Sequence, residues 1–113
     1  MSGVDVADLG SVLQWIRRQT ASDNIRVTQH AQAEMAEERI VLDEVKVALA
    51  KGQIVEHYPE HRRGPCCLVC GFTAGARPLH VVCTAGGEVL ILITAYEPKP
   101  PRWVTPLERR RRI

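Results

Sequence analysis

Apolar residues recur at helical spacing through the first half of the chain and at strand spacing through the second. Val4, Leu9, Val12, Leu13 and Ile16 fall three to five residues apart, which predicts one helix within residues 1–22. Asp5 or Ser2 is its expected N-cap. Thr28 is a good N-cap for a second helix from Gln29 to about Arg39, with Ala31, Met35 and either Ala36 or Ile40 turned inward. A third helix from about Leu42 to Lys51 carries Val45, Ala48 and Leu49. Gly52 is expected to end it as a left-handed C-terminal cap.

Beyond Gly52 the period changes. Gln53 to Tyr58, Cys66 to Thr73, Pro78 to Thr84 and Glu88 to Tyr96 read as four strands. They are separated by the charged Pro59–Pro65 loop, an Ala74–Arg77 turn and a tight Ala85-Gly86-Gly87 connection. The last strand is apolar on both faces, with Val89, Ile91 and Ile93 against Leu90 and Leu92, so it is expected to be central and covered on both sides. Such short links demand antiparallel neighbours. Pro98, Pro100 and Pro101 forbid continuation of the sheet, and Trp103 is expected to fold back as an anchor. The expected fold is α+β: N-terminal helices followed by a four-stranded antiparallel meander over residues 53–96, then a Pro-rich segment and Arg-rich tail. All 113 residues form one domain.

Composition narrows the classes. Hydrophobic residues at 45% and charged residues at 25% are globular proportions and exclude a wholly disordered chain. No apolar run approaches the roughly 20 residues of a membrane helix, and acids stand where a secretory signal would be basic; a cytoplasmic location is expected. Cys66, Cys67, Cys70 and Cys83 sit among aliphatic residues, where a thiol behaves as a small hydrophobe. Cys67 and Cys70 form a C-x-x-C on a strand, and no second pair completes a zinc site; neither metal nor cofactor is expected. The net charge of +2 hides an asymmetry. Residues 1–60 carry six Lys/Arg against ten Asp/Glu, and residues 61–113 carry nine against three, four of the nine being Arg109 to Arg112. The second half is therefore the expected face for a polyanion.

Several segments resemble one family in order: Thr28-Gln-His30-Ala31-Gln-Ala-Glu34-Met35, Gly52-Gln-Ile54-Val55-Glu-His-Tyr58-Pro59, Arg63-Gly64-Pro65-Cys66-Cys67-Leu68, Arg77-Pro78-Leu79-His80-Val81-Val82 and Ile93-Thr94-Ala95-Tyr96-Glu97-Pro98. The family is the domain of unknown function 4258, and the resemblance covers roughly residues 10 to 112. It implies a distant relation to RelE-type ribonuclease toxins, an antitoxin protein as partner and RNA as target. Glu34 and Glu38 stand where many of its members carry Arg, which leaves a catalytically weakened relative open.

The candidate chemistry follows. His30 lies in the first turn of the second helix, and Glu34 is four residues on, on the same face. A carboxylate beside an imidazole suits proton transfer near neutral pH; equally, the pair can lock a helix to the sheet. His80 lies mid-strand, either as a half-exposed platform residue or as a satisfied core residue. Tyr96 ends the last strand, where its hydroxyl contacts phosphate or its ring closes the sheet end. Metal-independent RNA cleavage needs a base, an acid and a cation. His30, Glu34, His80 and Tyr96 are the catalytic candidates, and Arg62, Arg63, Arg77 and Arg102 the phosphate-binding ones. The expected function is a RelE-like toxin-type protein, a metal-independent RNA endonuclease or its weakened relative. The alternative is a non-catalytic module that binds protein or RNA.

Overall fold

The computed structural model describes residues 8–109. Its first element is helix α1, Leu9–Ala21. Val4, Asp5 and Ser2 lie outside the described residues. The cap is Asp8, whose Oδ1 accepts the Gly10 and Ser11 amides at 3.0 and 3.4 Å. Val12, Trp15, Ile16 and Thr20 are buried, so the inward face includes Trp15 and leaves Leu9 41% exposed. Helices α2, Gln29–Glu38, and α3, Leu42–Ala50, follow the predicted spans closely. Thr28 caps α2 by accepting the Ala31 amide at 3.1 Å, and Arg39 closes it in the left-handed conformation.

The sheet departs from expectation at one edge. Strands β2 (Gln53–Tyr58), β3 (Cys66–Phe72), β4 (Pro78–Thr84) and β5 (Leu90–Tyr96) pair antiparallel in chain order. The sheet is nevertheless not a four-stranded antiparallel meander. A further strand β1, Ile25–Val27, lies parallel to β5, giving a five-stranded mixed sheet in the order β1-β5-β4-β3-β2. The connector between α1 and α2 is drawn alongside β5 because Asn24 donates its side-chain amide to the Glu88 carbonyl at 2.7 Å, and its backbone carbonyl accepts the Leu90 amide at 3.1 Å. Strand β5 begins at Leu90 rather than Glu88, so residues 85–89 form a five-residue connection instead of a tight one.

Both faces of the sheet are covered. Cys67, Val69, Leu79, Val81, Cys83 and Leu92 meet Ile16, Met35 and Leu49 from the helices. The chain after β5 folds across the other face, where β6 (Trp103–Thr105) and β7 (Glu108–Arg109) form a separate hairpin. Trp103 is 2% exposed and meets His80 edge-on at 4.4 Å, so it does fold back as an anchor. Two-sided cover explains why β3 is buried from Cys66 to Gly71 and reads as continuous apolar sequence. Arg109 belongs to β7 and not to a frayed tail; Arg110 to Arg112 lie outside the described residues.

All four cysteines are buried free thiols. Cys67 faces Cys83 across the β3–β4 ladder. Hydrogen bonding with Cys67, then burial, pushes the Cys83 thiol well above the ordinary value. Burial pushes Cys66 up to about 11 and raises Cys70. Such thiols stay protonated and unreactive at neutral pH.

Gly52 is not left-handed; the glycines with positive φ among the described residues are Gly64 and Gly87, and the C-cap of α3 is Lys51. The demand on Gly52 is space. A Cβ there would stand 2.6 Å from Val69 Cγ1 and 2.7 Å from the Ala48 carbonyl, and one on Gly71 would drive into the Ala48 backbone. The two glycines let α3 lie directly on β3. Gly71→Ala should therefore lower unfolding free energy by about 1–3 kcal/mol through overpacking, seen as a lower urea midpoint. Gly75→Ala, where the nearest atom is Thr73 Oγ1 at 3.8 Å, should stay within about 0.5 kcal/mol of the parent.

Candidate functional site

The start of α2 and the loop between β2 and β3 enclose an open cleft of about 470 Å³ lined by Thr28, His30, His61, Arg62, Arg63 and Ile93. Each wall has a local cause. Thr28 follows β1 and turns the chain into α2: its amide donates to the Leu92 carbonyl at 3.1 Å and its hydroxyl to the Ile93 carbonyl at 3.2 Å. His30 is then exposed in the first turn. On the opposite wall, turns over 58–64 are closed by His61 N–H to the Tyr58 carbonyl (3.4 Å) and Gly64 N–H to the His61 carbonyl (2.9 Å). His61 Nδ1 accepts the Arg63 amide at 3.1 Å. A neutral His61 ring therefore carries its proton on Nε2.

The cleft unites three of the predicted site residues, His30, Arg62 and Arg63, and adds His61, which residue type alone did not single out. The signal for His61 was its position directly before two arginines in a loop. Two imidazoles and two guanidinium groups around one opening can bind an anion and exchange protons with it.

The remaining candidates lie elsewhere. Glu34 does not pair with the His30 ring; its Oε1 takes the Thr94 hydroxyl and the Ala95 amide of β5, the latter at 3.1 Å. Burial raises the Glu34 carboxyl above its ordinary value, partly offset by the Ala95 hydrogen bond and by the charge of nearby His30. Glu38 accepts the Glu97 amide at 2.8 Å. Arg77 is engaged by Glu97 Oε1 at 2.7 Å and by the Glu38 and Arg39 carbonyls at 2.8 and 3.2 Å. It holds the end of α2 against the sheet. Arg102 is exposed just before β6.

His80 and Tyr96 are register partners on the face turned away from the helices, under the β6–β7 hairpin. His80 is fully buried, with Nε2 2.5 Å from the Pro106 carbonyl and Nδ1 3.3 Å from the Tyr96 hydroxyl. Burial lowers its pKa below the usual imidazole value, opposed by the Pro106 hydrogen bond. Of the two readings open for His80, the structure shows the satisfied core residue. Among the described residues, no group of three His, Cys, Asp or Glu side chains converges as a metal set would.

Glu34 has a structural task. Glu34→Ala should lower stability by about 1–3 kcal/mol, because the Ala95 amide loses its acceptor. Glu34→Gln should cost less, since its amide oxygen still accepts and carries no buried charge. The sign of the pH effect follows. A carboxyl raised by burial makes the folded state bind the proton more tightly. Ionisation of Glu34 thus costs some stability at neutral pH relative to the protonated carboxyl, and that cost lifts as the pH falls through its raised pKa, a gain absent from Glu34→Gln. Urea titrations at several pH values measure both effects.

No curated protein and no solved structure matches the chain at a significant level. The family described as Domain of unknown function (DUF4258) matches residues 27–97. That span opens at Val27, directly before the Thr28 cap, and closes at Glu97, the partner of Arg77. It contains α2, α3, the four antiparallel strands and every residue lining the cleft. It takes in well over half of the 113-residue chain, and the protein belongs to the DUF4258 family.

Proposed function

We propose that the cleft binds RNA through its phosphate backbone and that the protein is a RelE-like, toxin-type member of a toxin–antitoxin pair. In this reading it is a cytoplasmic, metal-independent endoribonuclease or a weakened relative of one. The observation that carries the reading is the meeting of His30 and His61 with Arg62 and Arg63 around one opening. Cleavage through the 2′-hydroxyl needs a base for that hydroxyl, a donor for the leaving oxygen and a cation for the charge that builds on phosphorus. Neutral His61, its proton fixed on Nε2 by the Arg63 amide, hydrogen-bonds a phosphate oxygen, and the His30 imidazolium formed by taking the 2′-hydroxyl proton is the donor for the leaving oxygen. His30 is the base, and Arg62 and Arg63 supply the positive charge. The antitoxin partner rests on the family resemblance.

A specific observation favours the second reading, an RNA-binding module without cleavage. Glu34 is committed to β5, so the carboxylate expected to orient His30 is engaged elsewhere. The same cleft then binds RNA and leaves it intact.

The test is an assay of labelled single-stranded RNA with wild-type protein and two variants. For an endoribonuclease, His30→Ala abolishes cleavage and leaves the melting temperature nearly unchanged, because the side chain is exposed. Arg62→Ala with Arg63→Ala weakens binding. It also flattens the slope of log affinity against log salt by roughly 0.7 for each phosphate that is no longer neutralised. Binding without cleavage that still needs the two arginines supports the module. RNA binding indifferent to both arginines would overturn the placement of the site.

A further inference from the structure

The cluster beneath the C-terminal hairpin is separate from the cleft and is built around one imidazole. We propose that the hairpin Trp103–Arg109 is a proton-released strap: His80 holds it down over Tyr96, Tyr58 and Glu56 while neutral, and lets it go on protonation.

Three contacts fasten the strap. The Pro106 carbonyl lies 2.5 Å from His80 Nε2. A carbonyl only accepts, so Nε2 carries the hydrogen, and in the neutral ring Nδ1 accepts the Tyr96 hydroxyl at 3.3 Å. Trp103 seats its indole edge-on against the imidazole at 4.4 Å. Arg109 donates twice to Glu56, at 2.8 and 3.0 Å, with its guanidinium 4.6 Å from the centre of the Trp103 ring.

The neutral ring suits this arrangement better than the imidazolium. A second proton on Nδ1 would turn that nitrogen into a donor and oblige the Tyr96 hydroxyl to rotate and accept it. It would also place a charge on a ring that is 0% exposed, where an ionised group is costly. The surroundings offer little compensation. The ring's register neighbours are Cys70 of β3 and Tyr96 of β5. Glu56 of β2 is the nearby carboxylate, but Arg109 of β7 and the Tyr58 hydroxyl already engage it. Arg109 itself disfavours a second cation, and burial depresses the His80 pKa.

The direction follows. A base whose pKa is depressed in the closed state leaves that state intact above the ordinary value of 6.5 and weakens it as the pH falls below that value. The Arg109 hydrogen bonds hold Glu56 below the usual carboxylate range, so the ion pair survives through the window in which His80 titrates. The hairpin can lift as a unit. It forms its own two-stranded sheet, distinct from the five-stranded one, and Pro98, Pro100 and Pro101 separate it from β5. Release uncovers an imidazole, two phenols and a carboxylate on one sheet face.

The chain holds two tryptophans, so Trp15→Phe leaves Trp103 as the sole indole reporter. Acrylamide quenching of its fluorescence is followed from about pH 8 to about pH 5, with far-ultraviolet circular dichroism recorded alongside. Quenching should rise roughly two-fold or more below pH 6.5, at constant secondary structure, as His80 gains its proton. His80→Gln removes the rise. Arg109→Ala in the same background gives high quenching already at pH 8. Should Trp15→Phe fail to fold, hydrogen exchange of the 99–109 peptide in the wild-type chain reports the same opening. Quenching or exchange that is flat with pH, a rise that persists in His80→Gln, or loss of secondary structure at the same midpoint would each overturn the strap.

Discussion

Past Val27, strand β5 continues while its parallel neighbour β1 ends, and the amides along that edge need other partners. Helix α2 supplies them. Glu34 takes the Ala95 amide and Glu38 the Glu97 amide, while Thr28 seats the helix start on the Leu92 and Ile93 carbonyls. At the far end Arg77 joins Glu97 to the last carbonyls of α2. The helix thus occupies the place of a strand along the β5 edge and is fixed at both ends. That placement carries His30 to the cleft and holds its backbone there.

The same constraint engages the acids of the first half of the chain. Glu34 and Glu38 turn toward backbone amides, and Arg77, which reads in the sequence as a phosphate binder, is spent on helix anchoring. Glu56 and Arg109 pair across the other face. With these charges answered inside the fold, Arg62 and Arg63 are left exposed at the cleft beside two imidazoles, and the positive field there is local.

Residues whose role follows from short-range pattern were legible in the sequence. Thr28 before the Ala31 and Met35 spacing marked α2, and short apolar runs between turn signals marked β2 to β5. Strand β1 was not legible, because Ile25–Val27 is three residues long and its pairing is decided by Asn24 reaching residues more than sixty positions away. Gly52 read as a cap because glycine after a helix commonly is one; its actual constraint, the closeness of α3 to β3, exists only once the two have packed. The site was half legible for the same reason. His30 and the Arg62-Arg63 pair stood out by residue type, but only the folded loop shows that His61 joins them and that His80 does not.

The four histidines give a direct measure of the cleft. In a proton NMR titration with a short single-stranded RNA, the ring C–H signals of His30 and His61 should move together and saturate at one midpoint, while those of buried His80 stay in place. Movement of neither His30 nor His61 at RNA concentrations that saturate binding would contradict the assignment of the cleft.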